Sequence, residues 1–389
     1  MKRVLVVSPG CPYPLIDGGA IRIYQNMMFL KRMGYSVDLV YVSHYDDDKV
    51  VKEGLKDICD NIYRFHISKI RSYLNVLTGF LTNKKPMQVN YFFLPKVKKF
   101  IANIQSQYDI LFAVTVRAAE YVRHCKNMKV IDYVDSIALN YEKGRHFKKD
   151  MWRFLYDIDY RLLSKYEKDI LDDFDIRFII SDVDKKNIVE DSGKEIGIVR
   201  NFYTIKPGRI VPQREGNHNI VFVGSMFYDP NVVAAVYFVN EVLPGLIKKY
   251  PDVKFYIVGN RPTKEVLSLA SEHVIVTGYV DDVWPYLENS GVVVVPMMSG
   301  AGLQNKILEA LSIRACIVTT ITGAGGLVRD EGAPFIANDT NEMISMICDY
   351  FEMSIDKRKE IVEKGYNYLI KYYSEVVVYD SFKQQFASL

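Results

Sequence analysis

No run of 18 or more apolar residues occurs in the 389-residue chain, so nothing in it reads as a membrane-spanning helix. Met1-Lys-Arg-Val-Leu-Val-Val opens like a signal peptide, but the apolar run is too short and passes straight into a strand-and-loop pattern, so no leader is expected. The cysteines are few and odd in number (Cys11, Cys59, Cys125, Cys316, Cys348) and show no Cys-x-x-Cys spacing. They read as reduced, mostly buried thiols rather than a disulfide frame or a zinc site. The six histidines form no His-x-x-x-His or His-Glu pattern, which disfavours zinc. There is no Walker loop and no Gly-x-Ser-x-Gly elbow, and the first turn lacks Gly-x-Gly-x-x-Gly, which argues against an NAD enzyme. Asp-x-Asp pairs occur at Asp46, Asp157, Asp173 and Asp182, but in an Asp-rich chain such pairs arise easily, and none lies where a diphosphate is expected. No metal and no cofactor are expected.

Acidic residues are missing from one long stretch. Between Asn61 and Ser106 there is none, against eight basic residues, Arg64, Lys69, Arg71, Lys84, Lys85, Lys96, Lys98 and Lys99. Tyr73, Leu74, Leu77, Phe80, Leu81 and Tyr91 to Leu94 are interleaved with them. Such a mixture suits an anionic membrane face or a solvated helix pair. No nucleic-acid motif accompanies it, so no nucleic-acid partner is expected. The expected location is cytoplasmic, with a peripheral position on the inner face of the cell membrane if residues 61–106 dock there.

What the chain does contain is ordinary for a soluble globular protein: 49% hydrophobic and 25% charged residues. Its length exceeds one comfortable core and suits two domains. The net charge is +3, with the excess of basic residues in the first half.

The pattern that organises the chain lies in its last quarter. Val292 to Val295 is a continuous β-branched run, as in a parallel strand covered on both faces. Gly300 and Gly302 punctuate a loop, and a helix is expected from Leu303 or Gln304. The unpaired N–H groups of its first turn make a place for phosphate. Lys306 and Glu309, three apart, share one face. A cation would then meet a diphosphate while a carboxylate one turn deeper accepts from vicinal hydroxyls such as those of ribose. The plain alternative is a solvated ion pair contributing ~0.2–0.5 kcal/mol.

Gly302-Leu-Gln-Asn-Lys306-Ile-Leu-Glu309-Ala resembles the donor-site segment of glycosyltransferase family 4, in the sugar-transferase branch that carries Gly-(Ile/Val)-Gln-Asn-Lys-Val-Leu-Glu-Ala. The wider family has a second glutamate upstream, where this chain has Ala301. The resemblance implies an α/β chain of the GT-B class: two facing Rossmann-like domains with parallel sheets and an interdomain cleft. It implies a retaining, metal-independent enzyme moving a sugar from a nucleotide-diphosphate (UDP or GDP) donor to a glycan or lipid-linked acceptor in bacterial-type surface polysaccharide synthesis. A GT-B nucleotide-sugar epimerase and a non-catalytic nucleotide-binding partner subunit share the architecture and remain alternatives. Domains are expected at 1–203 for the acceptor and 204–370 for the nucleotide sugar, with 371–389 crossing back as a final helix.

Strand and helix signals alternate through the first half, as for a parallel sheet. After strand Val4–Ser8, Gly18 and Gly19 precede a helix expected from about Ile21 to Met33, a place for a phosphate or acceptor loop. Arg22 follows the Gly-Gly as the resemblance implies, either as a phosphate or acceptor contact or in a surface ion pair. The strand Met128–Tyr133 leads to Asp135. The resemblance puts Asp132 or Asp135 near acceptor or donor, whereas the local pattern also suits Asp135 or Ser136 as a helix cap worth ~1 kcal/mol. After residues 207–217, which lack periodicity, the α/β pattern restarts with Ile220–Val223 and Gly224-Ser225-Met-Phe-Tyr-Asp-Pro-Asn231. The resemblance places Gly224 and Ser225 against the donor, and Arg261, Tyr279 and Val280 around its base. No basic residue lies in the 224–231 loop, so Lys306 with Gly302, Leu303, Gln304 and Asn305 would hold the diphosphate. Gly323 to Leu327 either lines the same site or is only a turn. Lys306 and Asp135 are the catalytic candidates.

Overall fold

The computed structural model describes the chain except residues 16, 17, 46, 47, 147, 148, 191, 192, 206, 207, 301, 388 and 389. It divides into two compact units, residues 1–201 with 379–389, and residues 202–378.

The first unit holds a seven-stranded parallel sheet in the order β3-β2-β1-β4-β5-β6-β7. Its strands are β1 Arg3–Ser8, β2 Ser36–Ser43, β3 Asn61–His66, β4 Ile110–Val114, β5 Met128–Asp132, β6 Ile176–Ile179 and β7 Gly197–Ile198. The central strands are apolar on both faces, as a doubly covered parallel sheet requires. Every residue of β4 is buried, and β1 is buried beyond Arg3. The edge strand β3 is half exposed and carries polar residues among its apolar ones, which is why no continuous apolar run announces it. Residues 379–389 complete this unit. Phe382 is fully buried against Phe29 and Phe178, and Ser381 donates to the Ile198 carbonyl at 2.8 Å.

The second unit repeats the plan with six parallel strands ordered β10-β9-β8-β11-β12-β13. These are β8 Asn219–Val223, β9 Lys254–Val258, β10 Val274–Gly278, β11 Val292–Val295, β12 Ile317–Thr320 and β13 Phe335–Ala337. In both sheets the order reverses beside the first strand of the unit, the arrangement that opens a ligand crevice at the carboxyl ends of the strands. Among the described residues one helix, Asp229–Lys249, is long and apolar enough to cross a membrane by length and composition. Here its apolar face covers the second sheet, with Ala234, Ala235, Phe238, Val242 and Leu246 buried and Phe238 packed on Phe255. A π-turn at Phe238–Val242 precedes Pro244, whose ring nitrogen has no hydrogen to give to the helix ladder.

Two helix starts differ from the sequence expectation. The first helix spans Gly18–Arg32, so Gly18 and Gly19 are its opening turn rather than a loop before it. The helix after β11 spans Asn305–Ser312, which leaves Gly302, Leu303 and Gln304 in the approach to it. Gly300 at φ +109° and Gly302 at φ +72° use a left-handed backbone open mainly to glycine, and the helix can begin only after that turn.

Candidate active site

The second unit gathers its candidate side chains at the carboxyl ends of β8, β9 and β11. Lys306, in the first turn of the Asn305–Ser312 helix, is half-buried, and its ammonium is enclosed. Its Nζ donates to Asn231 Oδ1 at 2.6 Å, lies 3.9 Å from the Met297 sulfur and stands 4.7 Å above the Phe222 ring. Burial pushes this ammonium down from its usual 10.5 to about 7, and the charge of Glu309 one turn on offsets part of that. The pair is therefore not a solvated surface pair, because a desolvated ammonium favours its neutral form until an anion joins it.

Asn231 is the organiser that sequence reasoning missed. It sits early in the helix after the 224–231 loop, and its amide also donates to the Ser225 carbonyl at 3.0 Å. Its place at the end of the Gly-Ser-Met-x-x-x-Pro-Asn pattern was the available signal. Gly224 lies against this pair: a Cβ there would come 2.7 Å from Asn231 Nδ2 and 3.2 Å from Lys306 Nζ. The next loop closes tightly on the first, since a Cβ at Gly259 would fall 1.7 Å from the Gly224 carbonyl oxygen, and Met226 N–H donates to the Asn260 carbonyl at 2.9 Å. Gly259→Ala must then push Gly224 away from Asn231 and Lys306. We expect an overpacking cost of about 1–3 kcal/mol together with weaker nucleotide binding, read by thermal unfolding and calorimetric titration. Wild-type values in both would mean that the Gly224 loop does not set the site.

Glu309 is half-buried on the face it shares with Lys306. Its charge and burial together raise the Tyr203 hydroxyl to about 12, burial being the larger cause. Tyr203 was not singled out from the sequence, since more than a hundred residues separate it from Glu309. Gly302 and Leu303 adjoin the Gly323–Leu327 turn: a Cβ at Gly326 would meet Leu303 Cα at 2.6 Å and the Gly302 oxygen at 2.7 Å. That turn therefore lines the approach to the helix. Leu303 is buried, and Gln304 and Asn305 are half-buried. Arg261, exposed at φ +49°, Tyr279, also exposed, and half-buried Val280 lie on the loops after β9 and β10. Position 301 lies outside the described residues.

In the first unit the structure corrects the reading of Arg22. It was expected to meet a phosphate or acceptor, or to pair at the surface, yet it is 1% exposed. Its Nε and Nη2 donate to the two carboxylate oxygens of Asp132, at 2.6 and 3.2 Å, and Nη1 donates to the Arg200 carbonyl and Asn201 Oδ1. A guanidinium buried this deeply requires a carboxylate partner, and that partner also removes Asp132 from the candidates. Asp132 further accepts from Asn26 Nδ2 at 2.6 Å and from Val134 N–H at 2.9 Å.

The cap at the same strand end is Ser136, whose Oγ accepts from Leu139 N–H at 3.1 Å. Asp135 is thereby left for another role. It is half-buried, accepts from Asn140 Nδ2 at 3.2 Å, and is pushed up to about 7 by burial and by Asp184, with Arg117 opposing. Thr115, just past β4, and Val134, just past β5, hold φ of +64° and +67°. Such values are outliers for β-branched residues, and strain of ~1–3 kcal/mol per residue tends to mark functional positions. Gly18 and Gly19 are exposed at their helix start. Among the described residues no group of three or more His, Cys, Asp or Glu side chains is placed to hold a metal ion.

Residues 217–352 match the family described as glycosyl transferases group 1. Over 396 aligned positions the chain is 28% identical to an uncharacterized 44.6 kDa protein in the cps region of Klebsiella pneumoniae, covering 98% of this chain and 99% of that one. Among solved structures it is similar to TarM, with a TM-score of 0.70 at 12% identity covering 100% of this chain and 99% of the other. It is also similar to Anabaena HepE in complex with UDP, with a TM-score of 0.66 at 14% identity and full coverage of both chains. The two parallel-sheet units and these neighbours make the fold GT-B. The matched segment and the fold together support a group 1 glycosyltransferase.

Proposed function

We propose that the chain is a retaining, metal-independent glycosyltransferase of the sugar-transferase branch of family 4. It would move a sugar from a nucleotide-diphosphate donor to a glycan or lipid-linked acceptor in surface polysaccharide synthesis. The observation that carries this reading is the enclosed Lys306 ammonium, held by Asn231 against the Gly224 loop with Glu309 one turn deeper. The relative in a cps region and the HepE complex with UDP support it.

The diphosphate lies on Lys306 and the N–H groups at the start of the Asn305–Ser312 helix, and Glu309 accepts from the ribose hydroxyls. In the transfer the bond from sugar C1 to the diphosphate oxygen breaks while the acceptor oxygen bonds to C1 from the same face. The acceptor proton passes to the departing phosphate oxygen. Lys306 meets the charge that develops on that oxygen, a kind of stabilisation worth about 2.7–4 kcal/mol where one such donor has been removed. Asp135 is the acceptor-side candidate of the first unit.

The pure protein is to be incubated with a panel of nucleotide sugars, with and without a membrane extract. Release of nucleoside diphosphate that depends on the extract is the expected result. Interconversion of sugars without extract would replace this reading with epimerisation, and binding with no turnover would replace it with a partner-subunit role. Glu309→Ala is expected to weaken nucleoside diphosphate binding about 10- to 100-fold, the loss of a charged hydrogen-bond acceptor worth ~1.5–3 kcal/mol. An unchanged Kd would remove Glu309 from the site.

A further inference from the structure

The helix Lys69–Thr82 faces the wrong way for a soluble protein. Its inward face is small or polar. Ser72 and Gly79 are buried, and Asn75 and Val76 are half-buried. Gly79 packs so tightly that a Cβ there would fall 2.4 Å from the Asn90 amide, and Asn75 Nδ2 donates to the Phe93 carbonyl at 2.7 Å. Its outward face is large and apolar: Ile70 is 74% exposed, Leu77 60% and Leu81 74%, with Tyr73, Leu74 and Phe80 beside them. At 100° per residue these six side chains span an arc of about 120°. Lys69 and Arg71 are exposed on either flank of that arc, and Lys84 is exposed just past the helix end. Thr78 and Thr82 donate their hydroxyls to the Leu74 and Thr78 carbonyls, each at 2.8 Å, so the helix flank satisfies its own polar groups.

We propose that this outward face docks the protein on an anionic lipid surface, with the apolar arc in the headgroup–acyl boundary and Lys69, Arg71 and Lys84 on the phosphates. An apolar stripe bordered by basic residues is the pattern of a helix lying in the membrane interface. Charge decides between occupants. The whole stretch 61–106 lacks a carboxylate, so a two-fold contact between copies through this face would set like charges against each other, whereas acidic lipids supply the missing sign. The helix belongs to the first unit and shares no residue with the proposed donor site in the second.

The test is sedimentation of the full chain with phosphatidylcholine vesicles, with and without phosphatidylglycerol, at low and high salt. The wild-type protein should partition onto the phosphatidylglycerol vesicles, and salt should weaken it. Leu74→Glu with Leu77→Glu should lose at least tenfold in partitioning. Lys69→Glu with Arg71→Glu should lose about fivefold or more per residue, from ~1 kcal/mol for each basic group at the surface. Leu267→Glu, an equally exposed position in the second unit, should partition like the wild type. All variants should keep wild-type circular dichroism and nucleotide affinity, which separates this result from the fate of the donor-site reading. No phosphatidylglycerol-dependent partitioning, or partitioning indifferent to both double variants, overturns the proposal. A lipid-independent dimer that Leu74→Glu with Leu77→Glu abolishes would overturn it in favour of self-association.

Discussion

Lys306→Met will weaken nucleoside diphosphate binding about 10- to 100-fold, the range for losing a charged hydrogen bond of ~1.5–3 kcal/mol, and will abolish the proton uptake that accompanies binding. In the free protein burial holds the ammonium at about 7, so at pH 8 it is mostly neutral. A diphosphate laid beside it favours the charged form, and the complex must take a proton from the buffer. Titration calorimetry at pH 8 in two buffers of unlike ionisation enthalpy will show close to one proton gained by the wild type and none by the variant. Uptake that persists in the variant, or is missing from the wild type, would detach Lys306 from the diphosphate.

The same shift has an opposite consequence for the free fold. The folded value lies below the usual 10.5, so between about pH 10 and pH 7 the unfolded chain binds the extra proton. Wild-type stability therefore falls as pH is lowered through that window, and below it both states are charged and the difference stays constant. Methionine fits the apolar contacts to Phe222 and Met297 and carries no charge to desolvate. The variant should match the wild type near pH 10 and exceed it near pH 6 in thermal unfolding without ligand. A residue that strengthens binding while weakening the free fold is expected where a site is built for a charge brought by its ligand.

Asp132→Asn will destabilise the first unit by about 3–5 kcal/mol, the cost of leaving a buried charge without its partner. At ~2–4 °C per kcal/mol for a unit of this size, its unfolding transition should move down by roughly 10 °C. Three groups depend on this carboxylate: the Arg22 guanidinium, the Asn26 amide and the Val134 N–H. The last belongs to a residue at φ +67°, so the carboxylate also holds a strained turn at the end of β5. Arg22→Met with Asp132→Leu should regain only part of the loss, because it removes the buried charge but leaves Asn26 and Val134 without an acceptor. Calorimetric scanning resolves this, and a shift of less than about 1 kcal/mol, an ordinary surface effect, would show that the pair is not what holds the strand end. Nucleotide affinity should not change, since the proposed donor site lies in the other unit.

The restart of the α/β pattern at Ile220 and the apolar runs at Val4–Ser8 and Val292–Val295 were legible because a strand covered on both faces must be apolar throughout. β3 was not placed, since an edge strand tolerates polar residues, and three-residue β13 was too short to signal. Sequence adjacency also carried the donor motif: Gly302, Lys306 and Glu309 fall within eight positions, and helical geometry alone sets Lys306 and Glu309 on one face.

Local pattern by itself therefore determined two α/β units, their sheet type and one face of one helix. What each charge does was decided only by tertiary contacts. Arg22 looked like an anion contact beside a Gly-Gly turn, and the strand end 110 residues away made it half of a buried pair. Lys306 read either as a diphosphate contact or as half of a solvated pair, and an asparagine 75 residues earlier, a phenylalanine ring and a sulfur enclosed it. Asp135 and Ser136 competed for one cap, and the helix hydrogen bond went to the serine. A charge takes its free energy from whatever surrounds it within a few ångströms, and in a parallel sheet those surroundings come from strands far apart in the chain.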